Sequence, residues 1–443
     1  MLRILMYDIN QTNMKNNSKH LALLLAFFLL SACTETEITT QKNPIESVVI
    51  EKKSFESLLQ TVKQRVLSEK YDTAILGAHE ILKKYPNEIQ GYLELADIYK
   101  IVNNIEKLSA LVDSLAKKFP TDPNVIYWQT QSAIEQEDFS AALAIINAMI
   151  STEESVISDD VMYYYGILKI LQNDFEGGKE VMETLVKSKK ISTETRIKAI
   201  EILDIYDEFA EFADGENAHF FALIAKNLID KKEIVLAKKM AENAAKEDVN
   251  YIDAWILSGF TKLKLSQYES ALVDLNLAYD QDPLRPETHF FLAETLQKLK
   301  RHTEAALYYE KALDNGFEFT NSVTRQLIDI FSRQNKTEKV LELYDKLLEA
   351  KDAKSEEFVS AVALVIQQKK DPARGLELAQ KIQQKFPKDT IAWNLLAWAE
   401  LENDLIEESQ GSLNEAFKLD ANNAQTFLNQ GFLDEKGTIA IAE

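Results

Sequence analysis

DAWILSGFTKLKLSQYESALVDLNLAYDQDP, residues 253–283, is the stretch that decides the fold. Apolar residues recur at spacings of three and four over residues 254–265 and again over residues 267–280, which predicts two amphipathic helices. Gly259 in the first half and Ala271 in the second are small enough for the two backbones to approach closely. The stretch is therefore predicted to be one pair of packed helices.

The same pattern recurs ten times along the 443 residues. A small or apolar residue early in each second half marks the register at Ala74, Leu108, Ala142, Gly178, Ala237, Ala271, Ala305, Val340, Gly375 and Ser409. The steps between these residues are 34, 34, 36, 59, 34, 34, 35, 35 and 34. Proline ends four of the copies, at Pro86, Pro120, Pro283 and Pro387, because it has no amide hydrogen for a continuing helix. A fixed period of this size predicts an all-α stack of two-helix units.

The pattern resembles the tetratricopeptide repeat. That family's aromatic, small, aromatic, alanine, alanine and proline positions fall on Trp255, Gly259, Tyr268, Ala271, Ala278 and Pro283. The resemblance covers about four-fifths of the chain and implies a right-handed α-solenoid of about ten helix-turn-helix repeats. Ile328 and Val340 depart from it where small residues are expected, and Pro372 is predicted to begin a second helix.

The 59-residue step marks a break in the array. The extra segment, residues 193–214, has helical periodicity without a second half, so it is either a degenerate repeat or a single spacer helix. The resulting organisation is a signal peptide (1–32), a lipidated cysteine and tether (33–50), four repeats (51–190), the irregular segment (191–216), six repeats with a capping helix (217–436) and a tail (437–443).

The front of the chain is predicted to be an export signal. Lys15 and Lys19 precede an uninterrupted apolar run over residues 21–30, which is too short to span a bilayer stably. Met14 is the better initiator, because residues 1–13 add a front piece that export signals rarely have.

Leu-Ser-Ala-Cys, ending at Cys33, resembles the lipobox of bacterial lipoproteins. The resemblance implies cleavage before Cys33, a diacylglyceryl thioether on its sulfur and acylation, such as by palmitate, of its new amino group. Cys33 is the only cysteine, so it cannot form an internal disulfide. By the sorting rules of Gram-negative lipoproteins, Thr34 after the cysteine favours the outer membrane, facing the periplasm.

The acidic charge limits the partners. The formal charge of −21 becomes −23 without residues 1–32, which carry three basic residues and one acidic residue. Nucleic acid requires basic stripes and is therefore excluded as a partner. The simplest interpretation of the charge is that it keeps a long solenoid soluble.

No catalytic or metal-binding pattern is recognisable. His79, His219, His289 and His302 are scattered without ligand spacing, and the chain has no Gly-rich phosphate loop or Gly-x-Ser-x-Gly elbow. Packing is the favoured role for His289 and His302. We therefore expect a protein that is not an enzyme and that needs no cofactor, metal or small-molecule substrate.

Binding is the remaining chemistry. In the tetratricopeptide family the second, fifth, ninth and twelfth repeat positions line a concave groove. That rule implies a protein-binding groove at Tyr127, Tyr163, Ile167, Ile170, Ile256, Phe260, Leu263, Phe290, Trp398 and Leu401. Alternatively, some of these side chains pack against neighbouring repeats. The family's basic clamp for carboxylates is not evident, because Lys63, Lys226 and Arg325 are isolated in the sequence.

The sequence thus predicts a lipid-anchored scaffold in the bacterial cell envelope that binds an envelope protein or peptide. Two other functions stay open: a self-assembling structural component, and a polysaccharide-export or secretion-associated factor that binds glycan or regulates an enzyme.

Overall fold

The computed structural model describes residues 54–120, 122–151, 157–189, 191–211, 217–368 and 370–442. The predicted signal peptide, Cys33 and most of the tether lie outside the described residues. Within the described ranges every regular element is helical, as the periodicity predicts, and there is no strand. No helix in this part of the chain has the length and apolar character needed to span a membrane.

Four helix pairs come first. They are α1 (Phe55–Leu67) with α2 (Tyr71–Lys84), α3 (Ile89–Ile101) with α4 (Ile105–Lys118), α5 (Pro123–Glu135) with α6 (Phe139–Ile150), and α7 (Asp159–Leu171) with α8 (Phe175–Lys187). The single helix α9 (Thr193–Glu211) follows, in the segment where the sequence predicts either a spacer helix or a degenerate repeat.

Six pairs and a last helix complete the chain. They are α10 (Asn217–Asp230) with α11 (Ile234–Glu247), α12 (Ile252–Lys264) with α13 (Tyr268–Gln281), α14 (Pro286–Lys298) with α15 (His302–Asp314), α16 (Thr320–Arg333) with α17 (Thr337–Leu348), α18 (Val359–Ala363) with α19 (Pro372–Lys385), α20 (Thr390–Glu402) with α21 (Ile406–Leu419), and finally α22 (Ala424–Ala442). The predicted ten pairs and the terminal helix are therefore present.

Each pair turns through one residue with positive φ. These residues are Glu69, Asn103, Glu137, Asn173, Lys232, Ser266, Lys300, Asn335, Lys370 and Asp404, with φ between 52° and 65°. The spacings between these residues are the same as the spacings between the register residues. Each positive-φ residue therefore lies five positions before the register residue of its repeat. A left-handed residue after the first helix lets the next amide bond back to the helix end, as in Gln267 N–Lys262 O at 2.9 Å. The turn thereby fixes where each second helix starts.

The register residues hold the pairs together. All ten are buried, and Ala74, Ala237, Ala271 and Ala305 have no exposed surface. A methyl group added to Gly259 on α12 would lie 2.5 Å from Leu275 Cγ on α13. The two backbones are therefore too close to admit a larger residue without displacement, as the sequence predicts.

The ninth pair is irregular. Its first half is a 3₁₀ turn (Ser355–Phe358), the short α18 and a π-helical turn (Leu364–Gln368) in place of one continuous helix. Pro372 begins α19, as predicted, where a missing amide hydrogen costs no helical bond. Ile328 and Val340, at positions that favour small residues, are buried in the preceding pair.

The chain divides into two compact units, one ending at Gln281 and the other beginning at Asp282. The boundary lies after α13, so the first unit contains helices on both sides of α9. The predicted break at α9 thus describes the repeat pattern and does not coincide with the boundary between compact units.

Candidate interaction surfaces

Most of the predicted groove residues lie in the interior. Eight of the ten are buried, namely Tyr163, Ile167, Ile170, Ile256, Phe260, Leu263, Phe290 and Leu401. Phe290 stacks on Phe317 with ring centroids 4.6 Å apart, and Tyr163 packs edge-on against Tyr164 at 5.5 Å. The alternative weighed from the sequence, that such side chains pack against neighbouring repeats, describes their position in this structure. A binding role for them stays a prediction.

Tyr127 and Trp398 are the two predicted groove residues that keep part of their surface exposed. Tyr127 lies on α5 with its ring 6.2 Å from that of Tyr164. Burial raises the pKa of Tyr127 to about 12, although Lys100 opposes the shift. Trp398 lies on α20, and its indole Nε1 donates to Glu402 Oε1 at 3.1 Å. These two are the predicted residues that a partner can reach without rearrangement.

A buried polar cluster joins the first helices of the first unit. Lys100 Nζ on α3 lies 3.4 Å from Glu135 Oε1 on α5 and 3.4 Å from Glu233 Oε2 at the turn before α11. Tyr164 on α7 donates to Glu233 Oε1 at 2.6 Å, and Lys100 also bonds to Gln131. Burial opposes the charge of Lys100, but Glu233 and Glu135 outweigh it and raise its pKa to about 12. The ammonium group therefore stays charged at neutral pH.

Two further contacts bring α11 against the same helices. Lys238 Nζ lies 2.5 Å from Glu137 Oε1 in the turn after α5, and Asn243 Nδ2 donates to the carbonyl of Leu171 at 3.2 Å. The shared face of α3, α5 and α7, where the family's groove is expected, is thus occupied in part by the chain's own fifth repeat.

Lys100 and Gln131 are not among the residues predicted from the sequence, although a signal for them exists. They hold the twelfth and ninth positions of their repeats, which are groove positions by the same family rule that selected Tyr127. The groove prediction included only apolar and aromatic residues at those positions and left out the polar ones. Glu233 gives no such signal, because it lies 133 residues from Lys100.

In the second unit, the charge of Arg325 is neutralised by two carboxylates. Arg325 on α16 is isolated in the sequence, but its Nη1 lies 2.9 Å from Asp352 Oδ2 and its Nε lies 2.6 Å from Glu357 Oε1. Lys63, in the first unit, has a looser partner in Glu94 at 3.8 Å. Arg325 is thus held by carboxylates of the chain itself.

The histidines take part in packing contacts. His79 bonds to the Tyr99 hydroxyl at 3.1 Å and His219 to that of Tyr251 at 3.0 Å. Burial lowers the pKa of His289, which keeps the ring neutral. Among the described residues no group of three or more His, Cys, Asp or Glu side chains has a geometry that could hold a metal ion. Whether the chain has enzymatic activity stays a prediction.

The sequence model of the tetratricopeptide repeat matches residues 261–316. A curated relative, the DnaJ protein P58IPK homolog of Arabidopsis thaliana, is 34% identical over 104 residues, which are 23% of this chain and 20% of the relative. The chain thus spans about a fifth of the length of that relative.

Solved structures with a similar fold have low identity. The tetratricopeptide-repeat protein YrrB, described as having an unusual peptide-binding site, is 14% identical with a TM-score of 0.35, covering 43% of this chain and 97% of that one. PilF of Pseudomonas aeruginosa is 16% identical with a TM-score of 0.34, covering 54% and 96%. The tetratricopeptide-repeat domain of P58(IPK) is 12% identical with a TM-score of 0.24, covering 87% and 99%.

The family match runs from the last turn of α12 through α13, α14 and α15, where the sequence pattern is clearest. The other pairs share the same turn and the same buried register residue. The chain therefore contains tetratricopeptide repeats.

Proposed function

We propose that the chain is a lipid-anchored adaptor that binds envelope proteins or peptides in the bacterial cell envelope. The observation that carries this proposal is the repeat array, since stacked helix pairs provide extended surfaces for polypeptides. A short apolar run ending in Leu-Ser-Ala-Cys at Cys33 supplies the anchor. The outer membrane, facing the periplasm, is the location that Thr34 favours.

The anchor is chemically sufficient for stable attachment. A single acyl chain gives marginal, reversible membrane binding, whereas two or more chains act together. A diacylglyceryl group with a further acyl chain on the amino group of Cys33 supplies them from one residue. The acidic body of the protein, at −23 without residues 1–32, is repelled by anionic membrane faces, so the lipid alone holds it at the membrane.

The reachable aromatic on the second unit is the proposed contact for a partner. Trp398 presents part of its ring on α20, and Glu402 fixes the indole through its hydrogen bond. Partly exposed tryptophan is enriched among residues that dominate binding energy in protein interfaces. A partner with an apolar segment and a mildly basic flank would suit this acidic, aromatic surface.

Cell fractionation tests the anchor. Cys33→Ser should move the protein from the membrane to the soluble fraction, and mass spectrometry of the wild-type amino terminus should find an acylated cysteine. Membrane retention of the Cys33→Ser protein would mean that something other than the lipid holds it.

Crosslinking in the host's own membranes tests the adaptor role. A distinct envelope protein should be recovered with wild-type protein, should be reduced about tenfold or more with Trp398→Ala, and should be retained with Leu307→Ala, which changes an exposed apolar residue on α15. Recovery of the protein itself alone would favour a self-assembling component. A change in tryptophan fluorescence with envelope polysaccharide would favour glycan binding.

A further inference from the structure

The last helix, α22, continues the repeat pattern by one half. Phe427 follows Trp393 by 34 residues at the repeat's fourth position, and Gly431 follows Ala397 by 34 residues at its eighth. The sequence thus places on α22 the aromatic and the small residue that mark first helices elsewhere in the chain. It has the pattern of the first helix of an eleventh repeat.

The amino-terminal cap and the packing of α22 agree with that assignment. Asn423 Oδ1 accepts from the Thr426 amide at 3.1 Å, and 34 residues earlier Asp389 Oδ1 caps α20. Asn394 on α20 donates to Thr426 Oγ1 at 2.9 Å, and Leu433 is buried beside α20 and α21. One face of α22 therefore lies on the preceding repeat, as a first helix does.

The opposite face of α22 is apolar and largely exposed, and its contact with the preceding helix is Phe427 against Phe417 of α21, with ring centroids 5.0 Å apart. Phe427 is 56% exposed, Leu428 51% and Phe432 50%. Ala424 and Gly431 complete the stripe at helical spacing, and a methyl group added to Gly431 would meet no atom within 4 Å. Three large half-exposed apolar residues on one helix face form a contiguous patch of the kind that marks an interaction site.

The chain shows what covers this face in complete repeats. At the eighth position, a methyl group on Gly166 would lie 2.5 Å from Met182 on α8, and one on Gly259 would lie 2.5 Å from Leu275 on α13. In both cases the covering residue belongs to the second helix of the same repeat. Phe290, at the fifth position like Leu428, likewise packs against a residue of its own second helix. The exposed face of α22 therefore corresponds to the surface on which a second helix packs in a complete repeat.

We propose that this face binds one amphipathic helix of a partner protein, which packs on α22 as second helices pack on first helices elsewhere in the chain. Exposed Asp434 and Glu435 border the carboxyl-terminal end of the stripe, while Lys436 is turned away to Asp404 at 2.7 Å. The border is therefore acidic, and so is the chain as a whole. The bound helix carries an apolar stripe with a small residue opposite Gly431, flanked by lysine or arginine. A second copy of this acidic chain fits the charge less well.

This proposal is independent of the lipid anchor and of Trp398. Failure of either test above leaves it standing, and its own failure leaves the adaptor role intact.

The chain's own second helices serve as defined probes. Pro372–Lys385 carries three basic residues and one acidic residue, whereas Tyr268–Gln281 carries three acidic residues and no basic one. Both are made as end-blocked, fluorescein-labelled peptides and titrated by anisotropy with the full chain bearing Cys33→Ser, which removes the acylation site. The basic peptide should bind saturably and more tightly than the acidic one, with the difference shrinking at high salt.

Two variants locate the binding. Phe427→Ser with Phe432→Ser should weaken the basic peptide about tenfold or more, and Leu307→Ser, at another exposed apolar residue, should change affinity less than about twofold. To distinguish loss of the apolar face from loss of the helix, Gly431→Cys in the Cys33→Ser chain provides a second measurement. A polarity-sensitive dye on that thiol should shift to the blue when the peptide binds.

Four outcomes overturn the proposal. They are the absence of saturable binding, equal binding to the double variant, and a concentration-dependent dimer in sedimentation that the double variant abolishes, which would make a second copy the occupant. The fourth is cosedimentation with phosphatidylcholine–phosphatidylglycerol vesicles that depends on Phe427 and Phe432, which would make a lipid surface the occupant.

Discussion

Gly259→Ala should destabilise the protein although alanine is the better helix former. In a free helix, alanine in place of glycine gains about 0.5–1 kcal/mol. Here the added methyl group would lie 2.5 Å from Leu275 Cγ, 2.8 Å from Leu275 Cδ2 and 3.3 Å from the Ala271 carbonyl oxygen. The nearest atom is a branch point, so Leu275 cannot relieve the overlap by moving only its tip. Overpacking of this kind costs about 1–3 kcal/mol, so the difference between the two ranges is about 0–2.5 kcal/mol, and we expect a net loss of about 0.5–2 kcal/mol.

Gly411→Ala is the matched control. Gly411 lies within α21, is exposed, and has nothing within 4 Å of an added methyl group, so the helix preference acts unopposed. This variant should therefore be stabilised by about 0.5–1 kcal/mol. The same substitution is predicted to change the free energy of unfolding in opposite directions at two glycines of one chain.

Thermal unfolding followed by circular dichroism at 222 nm measures both variants. A cooperative unit of 150–250 residues shifts its melting temperature by about 2–4 °C per kcal/mol, so Gly259→Ala should lower the first unit's transition by about 1–8 °C. If Gly259→Ala melts at or above the wild-type temperature, the close approach of α12 and α13 is wrong, and the repeat register built on small residues fails with it.

Three further changes probe other features. Lys100→Met should lower stability by about 3–5 kcal/mol because the carboxyl groups of Glu233 and Glu135 lose their cation, and urea unfolding that matches wild type would count against the cluster. Lys300→Gly should raise stability by about 0.5–1 kcal/mol, since glycine adopts φ 61° without strain, which a higher midpoint in urea would show. Burial among the surrounding helices, together with the nearby Glu94, raises the pKa of Asp97 to about 6. The folded state therefore binds more protons than the unfolded state between about pH 4 and 6, so the free energy of unfolding falls as pH rises through that window. Asp97→Asn should remove this part of the pH slope, and an unchanged slope between pH 4 and 7 would contradict it.

The repeat register was predictable because it depends on local sequence. Small residues such as Gly259 and Ala271 must recur wherever two helices touch, and proline must fall where a helix ends, so both leave a periodic trace. The left-handed turn left no such trace. Glycine is the usual residue at that conformation and asparagine the next, but here the position also holds residues such as Glu69 and Lys300, which no turn rule selects.

The candidate surface was less predictable because burial depends on contacts between distant repeats. The family's rule for groove positions places Tyr127 and Phe260 on the groove side of their own helices. It cannot tell which of the two side chains is covered by other residues of the chain. Phe260 is buried and Tyr127 is partly exposed. The apolar stripe on α22 was within reach of sequence reasoning, since Phe427 and Gly431 continue the 34-residue period. It was interpreted only as a cap, which should be polar on its outer side.

The cluster around Lys100 links repeats of the first unit that are not neighbours in the sequence. In a simple repeat array each repeat contacts only its neighbours, so a local change weakens only the adjacent pairs. Here Lys100 in the second repeat is bonded to Glu233 in the fifth, across 133 residues of sequence. Removing the charge of Lys100 leaves Glu233 without its cation, although Tyr164 still donates to it, so the energetic cost falls on α3 and on the start of α11 together. Hydrogen exchange in the Lys100→Met protein should therefore lose protection in both segments, whereas a nearest-neighbour stack would lose it around α3 alone.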